Sequence, residues 1–404
     1  MHAGFSMIEL MIALVLGLLL AEGVFVLFSE ANRVSAYQAA LARLQETGRV
    51  ALQIIGDDLR RSGGMPCGSR VRPRVFIDAL ESHIEGVPTI AGAPPDWPKG
   101  EPYALDRGVF IGGHLCRDGA CLPAVPEALA VPVAGITAGK QVPGTDVLAL
   151  RWLDGTGWAV ELQGPDQCAS DQPLGPISLR KLPGDAIPAI FQTGHAALLA
   201  SCSAAMVFAV ASNGDGVEPV VQDFGIPPCM DIGGQTRLFD LDAQLHTATY
   251  FLEMKVRADA AADAVPVLMR RVDGVANEVV EGVERLDFRY SLMADNGLAY
   301  WLDADQVARA AAPDGTRLLC KAEDGLAERP CSWADINAVS ISMLVNTVVD
   351  VPVGTSDRAL DYRYSIDGEN LQSPKAVMPI TGLPGHRLIR REFRSVIALR
   401  SLNA

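Results

Sequence analysis

From Phe5 to Phe28 the chain runs for 24 residues in which Glu9 and Glu22 are the only charges. As an α-helix this run would reach roughly 36 Å, enough to cross a hydrocarbon core with some tilt. The pattern then turns amphipathic without a break. Leu41, Leu44, Gly48, Leu52, Ile55 and Leu59 recur at spacings of three and four, with Arg43, Glu46, Arg49, Asp57, Asp58 and Arg60 between them. Ser62-Gly63-Gly64, followed by Pro66, stops it. A helix from Phe5 to Ser62 would be roughly 87 Å long, far above the globular mean. The stripe on its second half predicts a seat for a globular domain in preference to a coiled-coil seam. Gly17 and Gly23 weaken the apolar half by about 1 kcal/mol each against Ala. They allow either local stretching of the helix or close packing between helices.

Beyond Cys67 the period changes to that of strands, broken by turn-rich stretches such as Gly92–Gly100. Strands are predicted at Asp146–Trp152, Trp158–Leu162, Ala204–Ala211, Thr247–Val256, Val265–Arg271, Val279–Tyr290, Ala338–Asn346 and Arg390–Leu399. In the last, Phe393, Ser395, Ile397 and Leu399 alternate with Arg394, Val396, Ala398 and Arg400. Ala258–Val267 reads as a loop with a hairpin return. The expected fold class is α+β: one long N-terminal helix packed on a mainly antiparallel β domain over residues 63–404. With 404 residues and 49% hydrophobic content, the chain can bury a sizeable core. The net charge of −14 argues against nucleic acid as a partner. The late basic run His386–Arg391 is interrupted by apolar residues and reads as the exposed edge of a strand.

A carboxylate in lipid costs on the order of 2.5–3.5 kcal/mol, so such residues are usually paired or functional. Glu22 lies near the far end of the span and can reach the interface. Glu9 is only five residues into the run, with no cation beside it. If the bond between Gly4 and Phe5 were cut, the new α-amino group at Phe5 of an adjacent subunit could neutralise Glu9. A secretory signal peptide fits poorly, since the start lacks Lys and Arg, the apolar core is too long and Ala21-Glu22-Gly23 is a poor cleavage site. A plain signal anchor fits the length but leaves the Gly-Phe pair and the acid unexplained.

The stretch Gly4-Phe5-Ser6-Met7-Ile8-Glu9-Leu10 resembles the class III signal of type IV pilins and type II secretion pseudopilins. The resemblance implies a leader of residues 1–4, prepilin peptidase cleavage between Gly4 and Phe5, N-methylation of Phe5 and an assembly role for Glu9. It gives Glu22 no role, and the leader departs from the family in lacking Lys and Arg. Ala42–Arg49 with Asp58–Gly63, Thr145–Leu148, Ser201–Ser203, Val280–Leu286 and Arg391–Leu402 are similar to PilW-type minor pilins. Such a protein would sit in the bacterial inner membrane with a periplasmic domain, and at the pilus or cell surface once assembled. Its partners would be prepilin peptidase, other minor pilins, the major pilin and the inner-membrane assembly machinery. It would help start pilus growth from a tip or priming complex, supporting twitching motility and adhesion. A minor pseudopilin of a type II secretion system is the alternative; a membrane-anchored adhesin or hydrolase fits less well.

Nothing in the chain announces catalysis: there is no nucleophile elbow, phosphate loop, H-E-x-x-H or dinucleotide fingerprint. No enzyme activity, cofactor or metal is expected. The six histidines are scattered singly. Asn213–Gly216 and Asp303-Ala304-Asp305 could offer oxygen ligands, but neither completes an EF-hand, and turns explain them better. Eight cysteines without metal spacing suit disulfides in an oxidising compartment, with free buried thiols as the alternative. Two pairs close short loops: Cys116 with Cys121, and Cys320 with Cys331.

Overall fold

The computed structural model describes residues 6–63, 74–75, 110–117, 119–162, 177–179, 191–201, 205–212, 217–220, 236–256, 264–321, 328–348, 364–365 and 388–399. A single helix, α1 (Met7–Arg61), opens the chain. The strands that follow are β1 (Arg74–Val75), β2 (Ile111–Arg117), β3 (Ala120–Leu122), β4 (Val147–Leu153), β5 (Trp158–Leu162), β6 (Ile177–Leu179) and β7 (Ala196–Ala200). Next come β8 (Ala205–Ser212), β9 (Val217–Val220), β10 (Arg237–Asp240), the one-turn α2 (Leu241–Gln244), β11 (Leu245–Val256), β12 (Ala264–Val272) and β13 (Val275–Glu281). The chain closes with β14 (Val283–Met293), β15 (Ala299–Leu302), α3 (Ala304–Ala308), β16 (Leu319–Lys321), β17 (Glu328–Pro330), β18 (Ile336–Asn346) and β19 (Arg390–Ala398). The fold is therefore α+β, a long helix on antiparallel sheets.

Three sheets carry the architecture. One has the order β13-β12-β11-β4-β2-β3, and a second the order β15-β14-β18-β19. Their inner faces share one core with α1, in which Leu44, Ala51, Ile55 and Leu59 meet Tyr250, Leu252, Leu286, Phe288, Ile341 and Ile397. The third, β1-β8-β7-β10-β5-β6-β9, has a core of its own around Phe191, Leu199, Phe208, Val210 and Leu238. It is largely an excursion: β4 and β11 pair directly, Leu153 opposite Leu245, and the chain between them supplies β5 to β10, to which the earlier β1 adds beside β8.

The helix lies in two environments. Every residue from Met7 to Phe28 is exposed, whereas Leu44, Gly48, Ala51, Ile55, Gly56, Asp58 and Leu59 are buried, with Leu41 and Leu52 packed half-buried beside them. At Gly48 the approach is close enough that a Cβ there would overlap the Phe393 ring on β19. The stop works through the backbone. Ser62 N–H donates to Asp58 O (2.9 Å), its hydroxyl donates to Leu59 O (2.8 Å), and Gly63 turns away at φ +71° to donate to Arg151 O on β4.

Several sequence expectations need correction. Val279–Tyr290 is two strands in two sheets: Gly282 (φ +84°) breaks it, and a Cβ there would collide with Asn346 and Val348. Ala264, expected in the loop, begins β12 and pairs with β11, and Val265–Val267, where the loop and strand expectations overlapped, are strand; residues 258–263 lie outside the described residues. Of the late basic run, Arg391 is exposed on the edge strand β19, as expected, but Arg390 is not. That guanidinium is buried and its Nε donates to Glu284 Oε2 (2.7 Å), while Asn346 Nδ2 donates to Glu284 Oε1 (2.6 Å). The cost of burying Arg390 is met by a partner the sequence does not place beside it.

Replacing Gly48 by Leu should lower the unfolding free energy of the full chain in detergent by about 1–3 kcal/mol through overpacking. Adding Phe393→Ala should restore part of it, as read from the shift in denaturant midpoint.

Candidate functional site

With no catalytic motif to locate, the candidate site is the surface through which such a helix meets other molecules, together with the anchor that fixes it to the β domain. At its outer end Ser6 is the N-cap. Its hydroxyl accepts from Ile8 N–H (3.3 Å), and Glu9 Oε2 accepts from Ser6 N–H (3.1 Å), a capping box. Glu9 thus closes the helix start through one oxygen, and a carboxylate has further lone pairs to offer. Gly4 and Phe5, the expected cleavage and methylation positions, lie outside the described residues. Met7–Phe28, entirely exposed, is apolar and long enough to cross a membrane.

The anchor is a buried charge that sequence periodicity placed on the wrong side. Asp58, read as a polar residue between stripe positions, is 3% exposed. Its Oδ2 accepts from Tyr250 OH (2.6 Å) and Arg270 Nε (2.7 Å), and its Oδ1 from Arg270 Nη2 (3.2 Å). Burial and the neighbouring Asp58 push the Tyr250 phenol well up, so it stays a donor. The missed signal is spacing: Ala51, Ile55, Asp58 and Ser62 share a helical face at intervals of four, three and four.

Elsewhere the titratable groups are tied into structure. Cys116 is bonded to Cys121, and Cys320 to Cys331, so the grouping of Cys320, Cys331 and Asp335 holds no free thiolate for a metal. Cys67, Cys168, Cys202 and Cys229 lie outside the described residues, as does Asn213–Gly216. Asp303 caps α3, exchanging hydrogen bonds with Gln306, and Asp305 pairs with Arg309. The carboxylate of Asp240 meets His195 Nδ1 (2.8 Å) and accepts from Asp242 and Ala243 N–H, while Asp242 Oδ2 accepts from Ala196 N–H (2.6 Å). Those donors lie close enough for a cation, but each already has a structural duty capping α2 and clamping β7. His246 leans on Trp152 and meets Asp273, and His114 is buried against Pro123 O, with burial lowering its pKa.

The β2–β3 hairpin closed by Cys116–Cys121 borders a groove of about 370 Å³ lined by Val125, Val131, Val133 and Val142. Two buried carboxylates meet the hairpin at Cys116 and Arg117. Asp146 accepts from Arg117 Nη1 (2.8 Å), Cys116 N–H (3.3 Å) and Phe288 N–H (3.1 Å). Asp287 accepts from Arg117 Nη2 (2.8 Å), Arg285 Nε (2.7 Å) and Tyr364 OH (2.6 Å). Burial first, and then the Asp287 charge, push Asp146 up to about 7. An acid whose pKa is raised on folding binds its proton more tightly in the native state, so its contribution is largest at low pH. That contribution falls as pH rises from about 4 to about 7. Asp146→Asn should therefore flatten the stability profile across that window, measured by denaturant unfolding at several pH values.

Residues 249–401 match the family model of Type IV Pilus-assembly protein W, PilW. No curated protein and no solved structure matches the chain. The matched stretch runs from within β11 past β19, taking in Tyr250 and Arg270, which hold Asp58, and Phe393, against which Gly48 is packed. It is the sheets seating the long helix that carry the match, and the match supports a PilW-type protein of type IV pilus assembly.

Proposed function

We propose that the chain is a minor pilin that acts in a tip or priming complex to start pilus polymerisation, supporting twitching motility and adhesion. The observation that carries the reading is the division of α1: an exposed apolar half of membrane-spanning length, continuous with a half locked into a β head. Before assembly the exposed half lies in the inner membrane with the head in the periplasm; afterwards it packs among the helices of other minor pilins and the major pilin. Prepilin peptidase cuts between Gly4 and Phe5 and methylates the new amine. Glu9, still capping Ser6 through one oxygen, takes an adjacent subunit's amine on its remaining lone pairs. A subunit at the wrong axial stagger leaves both charges unpaired in lipid, which costs on the order of 2.5–3.5 kcal/mol for the acid alone. The family match favours the pilus over a type II secretion pseudopilus, whose N-terminal signal is the same.

Gly4→Ala should block leader removal, leaving the full-length mass in intact mass spectrometry; a mature mass starting at methylated Phe5 would refute the assigned cleavage site. Glu9→Ala should be processed normally but reach pili at least several-fold less. Normal recovery in sheared pilus fractions would show that Glu9 has no assembly role.

A further inference from the structure

Glu22 lies in the exposed apolar half of α1 and makes no hydrogen bond or ion pair among the described residues. No Lys, Arg or His occurs between Ser6 and Asn32. The next cation along the helix, Arg33, is already paired with Glu30 (2.9 Å). Glu22 stands thirteen residues after Glu9 in an unbroken helix. At about 1.5 Å and 100° per residue this separates the two acids by roughly 20 Å along the axis and about 140° around it. One neighbouring helix cannot face both.

We propose that Glu22 is a second subunit-recognition site, receiving a Lys, Arg or His side chain from the membrane helix of a different polypeptide, on the side of α1 turned away from Glu9's partner. The inference rests on the minor-pilin reading above and extends it to the identity of a neighbour. Charge complementarity selects the occupant. A second copy in register brings apolar side chains or another Glu22 to this level. To bring its own α-amine from Phe5 to Glu22, a second copy would have to shift by roughly 26 Å. Only about 9 Å of the apolar span would then remain in contact, from Glu22 to Phe28. Arg33 of a second copy would need a shift of roughly 16 Å and the loss of its bond to Glu30. A foreign helix in register, carrying one cation at this depth, satisfies the carboxylate and keeps the whole apolar face covered. Snorkelling to the headgroups is the competing arrangement, and it requires no partner.

The test uses the full chain in its native host. A photo-crosslinking residue at Val26, one turn above Glu22 on the same face, should capture a chain bearing a basic residue in its membrane helix. Glu22→Gln should lower that capture and recovery in sheared pili at least five-fold, with the mature mass unchanged. Glu22→Leu should do the same. Capture of a second copy alone, capture of lipid alone, or unchanged recovery for both variants would overturn the proposal. Failure of the underlying reading looks different, since the wild-type chain would then retain its leader or be absent from pili altogether.

Discussion

Asp58 is the charged side chain on the buried face of a helix that is otherwise gripped by aliphatic packing, and the placement of the whole exposed half depends on it. A stripe of Leu, Ile, Ala and Gly can slide by a turn along a sheet with little change in the area buried. A carboxylate that must meet Arg270 and Tyr250 cannot, because a slip would leave a buried acid and a partly buried guanidinium unsatisfied. Breaking such a pair costs about 3–5 kcal/mol when the site is fully buried. Here the figure sits toward the lower end, because the Arg270 side chain is 27% exposed. The pair does more for register than for stability. Gly48 against Phe393, and Gly63 donating to Arg151, then set the distance and the exit of the chain.

The same device holds the sheets to one another. Asp146 precedes β4 and Asp287 lies on β14, yet one guanidinium, Arg117 from the disulfide-closed hairpin, reaches both. Tyr364 adds a further chain segment, bonding Asp287 and the carbonyl of Ser342 on β18. Glu284 with Arg390 and Asn346 ties the beginning of β14 to the end of β18 and the start of β19. Around these fixed points the chain tolerates a large excursion. Six strands of the seven-stranded sheet, β5 to β10, leave between β4 and β11, fold over their own core, and return without disturbing the β4–β11 pairing.

What the sequence revealed follows from what is local. Helical period showed most of the seat on α1, and alternation showed β19, where Ile397 and Leu399 are buried while Val396 and Ala398 face out. Asp58 was hidden because a charge on a helix is by default a solvated one, and its partners lie 192 and 212 residues away in sequence. Arg390 was hidden for the same reason, with Glu284 lying 106 residues away from it. Gly282 was legible as a glycine within a strand pattern, a mark of a bulge or bend, but not as a change of sheet. The separate core between β4 and β11 had no local signature at all, because the turn-rich stretches around it look like those elsewhere in the chain.

Between Phe28, where the apolar run ends, and Leu44, where full burial begins, α1 has no complete core to hold it. It stays helical there through local means. Ala31, Ala36, Ala39, Ala40 and Ala42 give it the strongest intrinsic propensity available, and Glu30 with Arg33 adds an (i, i+3) pair. Neither Gly nor Pro interrupts this stretch. A flexible connection would let the head drift relative to the exposed half. A continuous helix instead carries the register set at Asp58 down to Glu22 and Glu9, so the directions in which those acids point are fixed relative to the β head.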